Sequence, residues 1–197
     1  MIVIGITGPT GAGKTTALKE LERLGGCVLD ADAVYHRLLA EDVSLRAALE
    51  ARFGPMTGAD GTFDRKKLGN LVFRDPKAME DLNRITADFI DRALTDGVRQ
   101  AEREGRPAAA IDAVRLFETG ADRLCDTTLA ITAPADVRVR RIMAREGISE
   151  DYARARVASQ PGDDFYTQRC EHILNNDCAS AEDFAARARA LFQQILT

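Results

Sequence analysis

The stretch Gly8-Pro9-Thr10-Gly11-Ala12-Gly13-Lys14-Thr15 fits the pattern G-x-x-x-x-G-K-S/T without a mismatch. It is preceded by Ile2-Val3-Ile4-Gly5-Ile6, a short apolar run rich in β-branched residues, which predicts a buried strand of a parallel sheet. It is followed by Thr16 to Leu24, where Leu18, Leu21 and Leu24 share one helical face. The motif therefore lies between a strand and a helix, the context that a phosphate-binding loop requires. Glycines at 8, 11 and 13 let the backbone wrap an anion without Cβ clashes. Loop N–H groups and the positive end of the helix dipole then face it. Lys14 can reach the β- and γ-phosphates of a nucleotide, and the Thr15 hydroxyl can ligate Mg²⁺. The bland alternative, an accidental glycine turn, does not account for the strand and helix on either side.

The rest of the chain bounds the fold. At 197 residues, with 45% hydrophobic and 29% charged content, one α/β domain with a small appendage is the simplest expectation. A net charge of −4 without a basic tract argues against nucleic acid as a partner. The N-terminus reads as strand and loop, not as a signal peptide, and no apolar run approaches a membrane span. Cys27, Cys125, Cys170 and Cys178 have neither zinc-ligand nor disulfide-framework spacing and read as reduced thiols, so a cytoplasmic location is expected. His36 and His172 read as structural or surface residues.

In chain order, Gly25-Gly26 closes the first helix, Cys27-Val28-Leu29 is a second strand ending in Asp30-Ala31-Asp32, and a helix follows through Leu39. Residues 44 to 105 are helical in pattern, broken at Phe53-Gly54-Pro55 and Asp60-Gly61, with Asp64 as an N-cap and Pro76 in the first turn of a long helix. Ala108 to Ile111, Thr127 to Ile131 and Ile173-Leu174 read as strands. Arginine-rich helices are expected over 135 to 145 and 149 to 159, and an amphipathic helix over 182 to 196. Strands alternating with helices predict a parallel sheet flanked by helices.

Three constellations accompany the loop. Asp30 and Asp32 end the second strand, where ligands bind in open α/β sheets. One can orient Mg²⁺ through water and the other can take a proton from an attacking hydroxyl; the alternative is a helix cap. Arg138, Arg140, Arg141 and Arg145 form a basic cluster in which Arg141 and Arg145, four apart, share a face. Arginines closing over ATP would neutralise a transferring phosphoryl group, whereas a solvated basic face is the ordinary meaning of such a cluster. Asn175-Asn176 can contact an adenine edge or form a turn.

The chain resembles the dephospho-CoA kinase family nearly end to end. The resemblance rests on Ile6-Thr7-Gly8 leading into Gly11 to Thr16, Val28-Leu29-Asp30-Ala31-Asp32, Asp60-Gly61-Thr62-Phe63-Asp64-Arg65-Lys66-Lys67-Leu68, Val72-Phe73-Arg74-Asp75-Pro76, Leu116-Phe117-Glu118-Thr119-Gly120 and Arg141 to Ser149. The resemblance implies a P-loop kinase fold with a nucleotide core at about 1–43, 106–134 and 170–197. It also implies a helical acceptor-binding insertion at about 44–105 and a lid at about 135–169. It implies that Gly11, Ala12, Gly13, Lys14, Thr15 and Thr16 bind ATP, with Asn176 near the adenine. Asp32 would be the base toward the ribose 3′-hydroxyl of dephospho-CoA, Thr15 and Asp30 would attend Mg²⁺, and Arg141 and Arg145 would be lid arginines. The family's usual His-Pro in the long helix is Ala87-Asp88 here, its proline after Asp112 is replaced around Val114-Arg115, and Pro161-Gly162-Asp163-Asp164 stands for a Met-led segment. Asp88 adds a negative charge that Arg84, Arg92 or Arg115 could offset, so dephospho-CoA is expected to remain the best acceptor with a raised KM. The alternatives are a kinase of another small hydroxyl substrate, such as a nucleoside or nucleotide, and a nucleotide-dependent switch that phosphorylates nothing.

Lys14 is the single cation placed by the motif to follow a transferring phosphate. Lys14→Ala is expected to remove nearly all turnover and leave the fold intact, which circular dichroism and an ADP-release assay on one sample will check.

Overall fold

The structure, a computed structural model, describes residues 1 to 197. Its centre is a five-stranded sheet of order β2-β3-β1-β4-β5, formed by β1 (Ile2–Thr7), β2 (Cys27–Asp30), β3 (Ala108–Asp112), β4 (Thr127–Thr132) and β5 (His172–Asn175). β1 runs parallel to β3, with Ile2 opposite Ala108, and to β4, with Ile4 opposite Thr127. β4 runs parallel to β5, with Leu129 opposite His172. Every residue of β4 is buried, as expected of an inner parallel strand covered on both faces.

The chain divides into two compact units, one comprising Met1–Leu29 and Val98–Thr197, the other Asp30–Gly97. In the first unit, α1 (Lys14–Arg23) and α10 (Ala181–Ile195) lay Leu18, Leu21, Phe184 and Phe192 against Ile4, Ile6, Leu129 and Ile131 of the sheet. α1 stops where glycines were expected. Gly25 adopts φ +92°, and the N–H groups of Gly25 and Gly26 donate to the carbonyls of Glu22 and Leu21. The buried Glu20 accepts from Arg23 and from Arg189 of α10 (2.9 Å to Nε), so its charge is paired between helices. α7 (Ala135–Glu146) and α8 (Glu150–Ala158) form a hairpin around Val139, Ile142, Ala153 and Val157. Gly147 at φ +66° ends α7, and the Ser149 hydroxyl caps α8. Short helices α6 (Leu116–Thr119) and α9 (Asp163–Thr167) and a 3₁₀ turn (Ala121–Leu124) fill segments for which the sequence pattern gives no element. Each is five residues or fewer, too short for a helical period to register.

The second unit holds α2 (Ala31–Glu41), α3 (Val43–Phe53), α4 (Arg65–Val72) and most of α5 (Pro76–Arg103), which runs on into the first. Its core gathers Leu39, Leu45, Leu49, Met56, Leu68 and Val72, with Tyr35, Phe53, Phe63 and Phe89 around them. Aspartate caps start three of these helices: Asp30 accepts from Ala33 N (3.0 Å), Asp42 from Leu45 N (2.9 Å) and Asp64 from Lys67 N (2.8 Å). Each contributes about 1 kcal/mol to helix stability. Pro76 occupies the first position of α5, where its missing N–H costs nothing. None of the four cysteines is in a disulfide.

Gly8, which leads out of β1, has φ +138°, and a Cβ built on it would lie 2.1 Å from the Ile131 carbonyl oxygen of β4. Neither atom belongs to a flexible side chain, so nothing can yield cheaply. Gly8→Ala is expected to destabilise the protein by about 3 kcal/mol or more, measurable as a lower Tm and urea midpoint.

Candidate active site

The loop from Gly8 to Gly13 links the carboxyl end of β1 to the N-terminus of α1, and Gly8, Gly11 and Gly13 all have φ between +83° and +138°. Gly13 has a second requirement: a Cβ there would lie 2.3 Å from Asn176 Nδ2. The loop's carbonyl oxygens are taken up by the chain's own donors. Lys14 Nζ donates to Gly8 O (3.0 Å), Ala12 N to Pro9 O (3.2 Å) and Arg138 Nε to Thr10 O (3.0 Å). Arg141 Nη1 donates to Gly11 O (3.3 Å) and Ala12 O (3.4 Å), and Asn176 Nδ2 to Ala12 O (2.8 Å). Gly13 O accepts from Thr16 N (3.0 Å) and Ala17 N (3.3 Å). A loop whose acceptors are saturated presents donors to an incoming anion, and the first turn of α1 adds its dipole.

The α7 arginines separate by partner. Arg140 pairs with Asp136 (2.8 Å) and Arg145 with Glu146 (2.6 Å), both at the surface; Glu146 also holds Arg156 of α8. These hydrogen bonds, that to Arg145 first, hold the Glu146 carboxyl below its ordinary pKa. Arg138 and Arg141 form no ion pair, and their guanidinium hydrogen bonds go to neutral acceptors, the loop carbonyls, Gln160 and Asn176. Burial lowers the pKa of both, Arg138 being only 4% exposed, but arginine remains charged. Two positive charges thus lie behind the loop without a direct ion pair, Arg138 feeling only the more distant Asp163 carboxylate.

The candidate side chains, and one that was not a candidate, differ in their hydrogen-bond partners. Arg141 bonds to the loop carbonyls, whereas Arg145, four residues on, pairs with Glu146. Arg138, three residues before Arg141, reaches the loop; i to i+3 spacing shares a face as i to i+4 does, and that signal was present in the sequence. Asn176 donates from its buried amide to Ala12 O and accepts from Arg141 Nη2 (3.0 Å), so it braces the loop. Gln160 is a fourth partner of the loop that sequence reasoning missed, because an isolated glutamine carries no pattern.

Thr15 and Thr16 lie in the first turn of α1, with Thr15 exposed. Asp30 and Asp32 belong to the second unit: Asp30 is the N-cap of α2, as the bland reading had it, with Oδ1 on Ala33 N, and Asp32 is exposed in the first turn of that helix. No group of three or more His, Cys, Asp or Glu side chains forms a metal cage. A hard cation held here would use the Thr15 hydroxyl together with substrate phosphate oxygens, which is how Mg²⁺ is commonly bound.

Asn176→Asp would keep the acceptor for Arg141 but set a carboxylate oxygen against the Ala12 carbonyl at 2.8 Å. It is expected to weaken ADP binding more than Asn176→Ala does, a comparison that calorimetric titration of both variants decides.

The comparisons with known proteins agree with this geometry. A family model described as dephospho-CoA kinase matches residues 2–182. The dephospho-CoA kinase of Dehalococcoides mccartyi is 36% identical over 179 residues, covering 90% of each chain, and that of Latilactobacillus sakei is 31% identical over 192 residues, covering 98% of this chain and 95% of its own. A solved structure from Thermus thermophilus superposes with a TM-score of 0.81 at 31% identity, covering 100% of this chain and 98% of that one. A shikimate kinase from Bacteroides thetaiotaomicron, at TM-score 0.54 and 19% identity over 98% of each chain, shares the fold alone. With a family model spanning nearly its whole length and a loop built to hold phosphate, the chain belongs to the dephospho-CoA kinase family.

Proposed function

We propose that this protein transfers the γ-phosphoryl group of ATP to the 3′-hydroxyl of dephospho-CoA, giving coenzyme A and ADP. The observation that carries the kinase chemistry is the allocation of hydrogen bonds around the loop: every carbonyl from Gly8 to Gly13 is occupied, and Arg138 and Arg141 stand behind it hydrogen-bonded to neutral acceptors. The acceptor comes from family membership.

Phosphoryl transfer asks the protein mainly to position and to neutralise charge. Backbone N–H groups of Gly11 to Thr16 and the α1 dipole hold the phosphates. Lys14, which in this structure donates to Gly8 O (3.0 Å), follows the β- and γ-oxygens. Arg141 contributes through the loop it braces. Arg145 can exchange a surface ion pair, which is worth only about 0–1 kcal/mol, for a phosphate oxygen. Asp32 takes the proton of the attacking hydroxyl. The Thr15 hydroxyl, with Asp30 as an outer partner, would hold Mg²⁺, which would supply charge neutralisation when bound. The core, helical insertion and lid described from the sequence supply nucleotide site, acceptor site and cover, and a cytoplasmic enzyme is implied.

In the acceptor region Asp88 is exposed on α5. Of the arginines considered to offset it, Arg84 is paired with Asp81 (3.0 Å). Arg92, one turn after Asp88, donates to the Asp88 carbonyl (3.1 Å) with its guanidinium 5.0 Å over the Phe89 ring.

ADP release will be measured with dephospho-CoA, adenosine, AMP, shikimate and gluconate at matched concentrations. Dephospho-CoA is expected to give the highest kcat/KM, and a better acceptor among the others would refute the assignment. Asp32→Asn is expected to lower kcat by about 10²–10⁴ with a much smaller effect on ATP affinity, because a base acts in the transition state. A collapse of ATP affinity at retained kcat would instead make Asp32 a metal or structural residue.

A further inference from the structure

We propose that Gln160 is a positioning residue for the nucleotide, acting through Thr10 of the phosphate loop; the proposal rests on the loop being a nucleotide site. Gln160 lies just past the C-terminus of α8, 150 residues along the chain from Thr10. Its Oε1 accepts from Thr10 N (3.1 Å) and from Arg138 Nη2 (2.5 Å), and its Nε2 donates to Thr10 Oγ1 (3.2 Å). Arg138 Nε completes the set on Thr10 O (3.0 Å). Thr10 thus has its N–H, its carbonyl and its hydroxyl all fixed by one Gln–Arg pair, at the variable tip of the loop where no glycine dictates the backbone.

Two consequences follow from this geometry. The Thr10 N–H points to Gln160, so the anion is left to the donors that come after it in the loop. The buried Arg138 guanidinium takes Gln160 as its only side-chain acceptor; without it one face of that charge has no partner, and the charge would re-aim. Gln160 therefore sets the position of both the loop tip and the buried charge behind it. Loss of such preorganisation is felt in nucleotide binding, because the loop must then be ordered at the ligand's expense. The acceptor, which the loop does not hold, should be indifferent to it.

The test uses the full chain with Gln160→Ala and Gln160→Met, the second keeping the length and packing of the side chain without its hydrogen bonds. ADP dissociation constants, KM for ATP and for dephospho-CoA, kcat and Tm are measured for each. Both variants are expected to bind ADP about tenfold more weakly. KM for dephospho-CoA should stay within about twofold and Tm within a few degrees, since only hydrogen bonds at the loop tip are lost. Unchanged ADP affinity in folded variants overturns the proposal. So does recovery of affinity in Gln160→Met, which would make the side chain a packing element, and so does a joint fall of Tm and all constants. A wild-type protein that binds ADP but does not phosphorylate dephospho-CoA would refute the assigned reaction and leave the ADP comparison intact.

Discussion

The structure depends on how one turn of backbone distributes its hydrogen bonds. A loop that binds an anion must hide its carbonyls, since each carries a partial negative charge facing the same small volume. Here the hiding is done from a distance in sequence: Arg138 and Arg141 come from α7 and Asn176 from the residue after β5. β5 pairs with β4, β4 with β1, and β1 leads into the loop, so the sheet register fixes the distance between Asn176 and Ala12. Gly13 then has to be glycine twice over, for its left-handed φ and for the Asn176 amide against it.

The same logic sorts the arginines. A guanidinium at the surface finds a carboxylate within a turn or two, as Arg140, Arg145 and Arg154 do, and such pairs cost little to exchange. A guanidinium that is buried against carbonyls keeps its charge and lends it to whatever binds in front. Arg138 and Arg141 are of the second kind. Desolvating them is costly, and the hydrogen bonds to Thr10, Gly11, Ala12, Gln160 and Asn176 offset that cost. A bound phosphate would repay it further, which couples the stability of the α7 region to nucleotide binding.

The second unit shows a different economy. Its helices begin on aspartates, and its core is a cluster of leucines with aromatic residues at the margin. Asp30 stands at the join, ending a strand of the sheet and capping α2. A carboxylate that caps with one oxygen retains the other, so the cap and the metal reading of Asp30 are compatible. Asp32, two residues on, carries no such structural duty and is exposed in the first turn of its helix.

Much of this was legible in the amino-acid sequence. The glycine-rich loop, its lysine and threonine, the glycine stop after α1, the aspartate cap of α4 and the proline opening α5 are local devices, each settled by residues a few positions apart. The alternation of strands and helices that predicts a parallel sheet is a local pattern repeated. What tertiary structure alone decided were the long-range partners: that Arg138 and Arg141 bond to the loop while Arg145 pairs with Glu146, that Asn176 braces the Ala12 carbonyl, and that Gln160 grips Thr10 from 150 residues away. The physical reason is that side-chain chemistry names what a residue can bond to, whereas the partner it actually meets depends on sheet register and helix packing, which no stretch of neighbouring residues encodes.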